Sequence, residues 1–129
     1  MSSSEHCPDD LLYHSDHGWA RVEGDVATLG ITWYAQDQLG EVVFVDGAKV
    51  GDEVTMGEAY IELESVKTVS EAIAPLSGKI VAISEVAVRE PDIVNRSPYG
   101  EGWLVRVSIA NPAEKANLLT AGAYGELIG

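Results

Sequence analysis

The sequence predicts a mainly β fold carrying one short internal helix and one C-terminal helix. Apolar residues fall into short runs rich in Val, Ile and Leu, separated by Gly, Pro, Asn and Asp, which is the length and punctuation of strands. Helix start signals stand out at Thr32 and at Asn111-Pro112. A chain of 129 residues has room for one core, so residues 1–129 are expected to form a single domain.

In chain order, residues 1–12 read as a polar leader, mobile at its start. Trp19-Ala20-Arg21-Val22 and Val26-Ala27-Thr28-Leu29-Gly30-Ile31 flank Glu23-Gly24-Asp25 and read as a hairpin. Thr32 caps a short helix from Trp33 that Gly40 stops after Leu39. Glu41-Val42-Val43-Phe44-Val45 is an apolar strand, and Val50-Gly51-Asp52-Glu53-Val54 turns the chain toward the next one. There Glu58, Tyr60, Glu62 and Glu64 alternate with Ala59, Ile61 and Leu63, so Tyr60 is expected on the solvent face. Thr68-Val69-Ser70-Glu71-Ala72-Ile73, Lys79-Ile80-Val81-Ala82-Ile83 and Trp103-Leu104-Val105-Arg106-Val107-Ser108-Ile109 supply further strands, with a long loop and one helical turn over residues 90–102. Pro98-Tyr99 and Gly102-Trp103 read as a tight turn followed by an aromatic that closes the core.

The C-terminal helix has Asn111 at its N-cap, Pro112 at its first position, Glu114 in a capping box, and Leu118 and Leu119 on its apolar face. Gly122 and Gly125 weaken its last turns. A short internal echo links Gly40-Glu41-Val42-Val43 with Gly78-Lys79-Ile80-Val81. A true repeat would imply two similar half-sheets with a hairpin at their junction.

Eight basic against 21 acidic side chains give a net charge of −13. Such a surface repels phosphate backbones and anionic lipid, which argues against nucleic-acid and membrane partners. It suits docking onto electropositive enzymes, and it equally serves solubility; net charge alone does not choose. Cys7 is the single cysteine, so no intrachain disulfide and no CxxC motif exists, and it reads as a bystander in the leader. No secretory or organellar address is visible at the start, which leads to the expectation of a cytoplasmic protein. His6 and His14 have no metal-ligand spacing with any partner, so no metal site is expected.

Lys67 carries the functional argument. A lysine between two strands is ordinarily a solvated charge that discourages edge pairing. Here it follows Glu62-Leu63-Glu64 in a turn short enough to thrust the side chain away from the sheet. Its ammonium ends a flexible four-carbon stem, the geometry a covalent swinging arm needs. Glu64, Ser65 and Val66 immediately precede it and are the expected recognition residues for a modifying enzyme, with Glu64 steering a basic ligase surface.

Further stretches sharpen this reading. They are His17-Gly18-Trp19, Gly30-Ile31-Thr32-Trp33-Tyr34-Ala35-Gln36, Leu39-Gly40-Glu41-Val42-Val43-Phe44-Val45, Glu64-Ser65-Val66-Lys67, Ala74-Pro75-Leu76-Ser77-Gly78, Val94-Asn95 and Pro98-Tyr99-Gly100-Glu101-Gly102-Trp103. In order and spacing they resemble the glycine cleavage system H proteins, which are lipoyl carriers, across residues 13–127. The resemblance implies a flattened β-barrel or sandwich of the lipoyl/biotinyl (hammerhead) type, extended by the N-terminal hairpin and the C-terminal helix. It implies lipoate in amide linkage on Lys67, and no catalytic residue.

The partners so implied are glycine decarboxylase (P protein), which loads an aminomethyl group from glycine, and the aminomethyltransferase (T protein), which passes it on in one-carbon metabolism. Dihydrolipoamide dehydrogenase (L protein) reoxidises the arm, and a lipoate ligase or transferase attaches it. Glu71 matches an acidic position that helps hold the loaded arm. Where the family usually has His-Glu-Trp this chain has His17-Gly18-Trp19, so one carboxylate is missing. Asp16 is the expected substitute, Gly18→Glu is expected to lengthen the lifetime of the loaded arm provided the backbone at Gly18 is not one that only glycine tolerates, and His17 is expected to be structural.

Other readings fit less well. A biotinyl carrier would want Met on both sides of the lysine, where Val66 and Thr68 stand. A lipoyl donor in a lipoate relay uses the same attachment and is not separated from the carrier by sequence. A free-standing enzyme would need a nucleophile elbow, H-E-x-x-H pair, phosphate loop or dinucleotide fingerprint, and none appears.

Overall fold

The computed structural model describes residues 7–128. Among these described residues nine strands form two antiparallel sheets. The strands are β1 (Leu12–Tyr13), β2 (Gly18–Glu23), β3 (Val26–Ile31), β4 (Val42–Asp46), β5 (Glu53–Val54), β6 (Ala59–Ser65), β7 (Val69–Ile73), β8 (Gly78–Ile83) and β9 (Val105–Ile109). The larger sheet has the order β1-β2-β3-β9-β8-β5 and the smaller β4-β6-β7. Leu29 and Val105 from one sheet and Val45 and Leu63 from the other meet in one buried cluster with Leu76 and Ile80. The expected sandwich is present, but among the described residues no ladder joins the sheets, so they do not close into a barrel.

The hairpin expected around Gly24 is the β2–β3 pair, continued into the sheet by β3 against β9. The short helix α1 (Trp33–Leu39) begins where expected, with Thr32 Oγ1 accepting from Ala35 N, and ends at Gly40, whose φ is 85°. The internal echo falls on β4 and β8, one strand in each sheet. Val42 and Ile80 are both buried, while Val43 and Val81 are equally exposed.

Four expectations need correction. First, the leader is not all mobile. Residues 1–6, His6 among them, lie outside the described residues, but Cys7 and Leu11 are buried in an aromatic cluster with Tyr13, Trp19 and Tyr124. The apolar surface of Trp19 and the two tyrosines needs covering, and the leader supplies the cover. Second, Tyr60 faces inward: the ladder to β7 shifts between Ala59 and Ile61, and this bulge turns Tyr60 and Ile61 both into the core.

Third, the stretch before and within the expected loop holds two helices, α2 (Glu85–Arg89) and α3 (Ile93–Arg96). Ser84 caps α2 by accepting from Ala87 N, and an Arg96–Asp92 ion pair spans the turn of α3. Fourth, the C-terminal helix is broken. Asn111 does cap, but it starts a 3-10 turn over Pro112–Asn117. Leu119 then exchanges backbone hydrogen bonds with Tyr13, and the helix α4 (Ala121–Ile128) begins only afterwards. Glu114 makes no capping box. Its carboxylate accepts from Ser77 N and Ser77 Oγ, both at 2.8 Å.

Candidate functional site

The β6–β7 turn is built around one hydroxyl. Ser65 Oγ accepts from Thr68 N at 3.1 Å and from Lys67 N at 3.3 Å, and donates to Thr68 O at 3.2 Å. Ser65 N donates to Thr68 O at 2.8 Å, closing the turn. Val66 N donates to Glu41 O at 3.0 Å, tying the tip to the start of β4, while the Val66 side chain stays exposed. Lys67 stands at the crest, exposed and, among the described residues, without an ion-pair partner.

The lysine stem lies across Gly40. A methyl group placed on Gly40 would sit 3.2 Å from Lys67 Cε, so the bare backbone there leaves room for the stem to move. Asn95 on α3 holds this platform in place. Its Nδ2 donates to Gly40 O at 2.8 Å and to Gln36 Oε1 at 3.0 Å, and its Oδ1 accepts from Val42 N at 2.8 Å. One amide thus joins α1, β4 and α3 beneath the lysine. Val94-Asn95 is notable in the sequence without this role for Asn95; a half-buried amide bonded three ways leaves no periodic signature.

Beside the turn lies a cleft of about 290 Å³. Its walls include Asp16 and His17 from the β1–β2 connection, Gln38 and Leu39 from α1, and Thr68 and Glu71 from the turn and β7. Thr68 adjoins Lys67, so the cleft opens at the foot of the lysine. The structure brings Asp16 and Glu71 onto this one cleft, whereas Glu64 lies on β6 opposite Phe44 and Val69.

Gly18 is buried in β2, and a Cβ there would meet Ile73 O at 2.7 Å. A glutamate therefore cannot enter without a shift of the β7 backbone, so the condition attached to Gly18→Glu is not met in this arrangement. His17 adopts a positive φ of 74°, which turns its ring against Tyr124 and onto the cleft wall. Burial lowers its pKa, opposed by the Asp16 charge and reinforced by His14. Asp16 N donates to His14 Nδ1 at 3.0 Å. No group of three or more His, Cys, Asp or Glu suited to a metal ion occurs among the described residues, and no helix there is long and apolar enough to cross a membrane.

Comparisons with known proteins give one answer. The family model described as glycine cleavage H-protein matches residues 11–129. The chain is similar to the glycine cleavage system H protein of Symbiobacterium thermophilum, at 50% identity over 117 residues covering 91% of each chain. It is similar to that of Staphylococcus epidermidis at 44% over 122 residues, covering 95% of this chain and 97% of the other. Among solved structures, the H protein of Mycobacterium marinum superposes with a TM-score of 0.85 at 41% identity, covering 95% of this chain and 98% of that one.

Proposed function

The chain belongs to the glycine cleavage H-protein family, and from that premise we propose that it is a lipoyl carrier whose Lys67 bears the arm and whose Asp16 and Glu71 receive the arm when it is loaded. The observation that carries this reading is the placement of Lys67. It is an exposed primary amine on a turn locked by Ser65, with a carboxylate-bearing cleft at its foot. The residues fit the group. The amine is free to be acylated, the stem has room over Gly40, and the cleft offers acceptors to a cationic end.

When bound, lipoate supplies a dithiolane disulfide that takes up the aminomethyl group and ends as a dithiol. The chain's own residues do the rest. Ser65 fixes the turn so that Lys67 is presented to each enzyme in one geometry. Glu64, Ser65 and Val66 offer the modifying enzyme an acidic and apolar tip. Asp16 and Glu71 accept hydrogen bonds from the ammonium of the loaded arm, and Leu39 with Leu63 gives the arm's hydrocarbon an apolar wall. Glycine decarboxylase, the aminomethyltransferase and dihydrolipoamide dehydrogenase are the enzymes served, in the cytoplasm, and the chain itself performs no catalysis.

The test is intact mass of wild type and Lys67→Arg before and after incubation with a lipoate ligase. Arginine keeps the charge and removes the acylatable amine. Wild type should gain one lipoyl group and the variant none. A variant modified to the wild-type extent would place the arm elsewhere.

A further inference from the structure

Tyr124 on α4 is fully buried and lies far along the chain from His17, the cleft residue that it meets. Its hydroxyl lies 2.8 Å from His17 Nδ1 and 2.7 Å from Thr32 Oγ1. Thr32 is itself fully buried, and its Oγ1 already accepts from Ala35 N at 3.2 Å. Three groups in a row therefore share two hydrogens whose positions follow from counting donors.

If Nδ1 carried the proton, it would donate to Tyr124 and Tyr124 would donate to Thr32. The Thr32 hydroxyl hydrogen would then have no acceptor, since among the described residues Oγ1 meets only Tyr124 Oη and Ala35 N. A buried hydroxyl without an acceptor is strongly disfavoured. In the reverse order Thr32 donates to Tyr124, Tyr124 donates to Nδ1, and every donor is used. The imidazole then bears its proton on Nε2.

The ring is held where this matters. His17 N donates to His14 O at 2.9 Å and His17 O accepts from Thr32 N at 3.0 Å, fixing the backbone on both sides. Tyr34 packs against the ring at 4.8 Å between centroids. Nε2 has no partner among the described residues, and His17 is a wall of the cleft that Asp16 and Glu71 also line.

We propose that Tyr124 is a positioning residue: relaying the Thr32 hydroxyl, it holds His17 in the Nε2–H tautomer and so gives the arm cleft one fixed hydrogen-bond donor beside its two carboxylates. The site then reads both ends of a loaded arm. Asp16 and Glu71 accept from the ammonium, while His17 donates to an acceptor on the arm, a sulfur or the amide oxygen. His17 does not face the ammonium, because two donors would repel. This assignment of His17 toward the arm rests on the lipoyl reading of Lys67; the tautomer itself does not.

Long-range nitrogen-15 NMR of the histidine rings, on the full unlipoylated chain, decides the tautomer. His17 is identified by loss of its signals in His17→Asn. Wild type should show a pyridine-like Nδ1 and a pyrrole-like Nε2. Tyr124→Phe keeps the ring stacked on Tyr13, 4.8 Å away at 9°, and removes only the hydroxyl. It should shift the ring to a mixture of tautomers.

A protonated Nδ1 in wild type overturns the proposal whatever the variant does, and so does an unchanged tautomer in a folded Tyr124→Phe. With lipoylated, reduced protein the Nε2 signal should move and the loaded arm of Tyr124→Phe should decay about fivefold faster, the worth of one neutral hydrogen bond. An Nε2 signal indifferent to the arm would refute the donor role while leaving lipoylation of Lys67 intact.

Discussion

Glu62 stands directly opposite Glu71 across the β6–β7 ladder, and Asp46 flanks Glu62 on its other side in β4. Three carboxylates thus form a row across the smaller sheet, two of them on the strand pair that presents Lys67. Like charges placed opposite each other disfavour the sheet. Glu62→Gln should therefore raise the stability of the fold by roughly 0.2–1 kcal/mol, and the gain should shrink as salt rises. Urea melts at low and high ionic strength check both parts.

Glu71 belongs to that row and also to the cleft wall. Removing it should give opposite results in two assays. Glu71→Ala should leave stability equal or slightly higher, because a repulsion goes, yet shorten the lifetime of the aminomethyl-loaded form by about tenfold, the worth of one charge-assisted hydrogen bond. Release of formaldehyde and ammonia from loaded protein, followed without the transferase, measures that lifetime. A loaded form as long-lived as wild type would remove Glu71 from the cleft's function.

Glu64 tests steering rather than holding. It lies two residues beyond Glu62 toward the turn, between Phe44 and Val69, and three residues before Lys67. Glu64→Gln should slow lipoylation by about twofold to tenfold at low salt and match wild type at high salt, as expected when a charge acts on encounter. Initial rates with a lipoate ligase across an ionic-strength series give the answer. Equal rates at low salt would rule out steering.

The pH dependence of stability follows from His17. Burial depresses its pKa, so between the ordinary value of about 6.5 and the lower folded value the unfolded chain binds more protons than the native one. Its contribution is fully present above pH 6.5 and is lost as pH falls through the folded pKa. Wild type should lose stability over that acidic window, and His17→Asn, which also tolerates a positive φ, should lose less. Paired denaturation curves at neutral and mildly acidic pH make the comparison.

The strands and α1 were legible because periodicity and capping are local properties of the chain. The Tyr60 bulge was not, since alternation presumes an unbroken ladder and one extra residue reverses it. The C-terminal helix looked continuous because its caps are local, whereas its interruption at Leu119 is imposed by pairing with Tyr13, a segment distant in sequence. At the site, the exposed lysine could be read from the turn, and Glu71 and Asp16 followed from a family resemblance. Their convergence on one cleft needed the packing of the β1–β2 connection against β7. The His17–Tyr124 contact joins residues 107 apart and has no counterpart in any local pattern.

Cys7 is the only thiol in the sequence, and it is sealed beneath the aromatic cluster that also holds Tyr124. Desolvation raises its pKa, which makes it doubly slow to react while the segment stays in place. A thiol reagent added to the unlipoylated native protein can therefore react only when that segment lifts, since Cys7 is then the one thiol present. The labelling rate becomes an intrinsic clock for the opening of the N-terminal seal, readable without introducing a probe or a mutation.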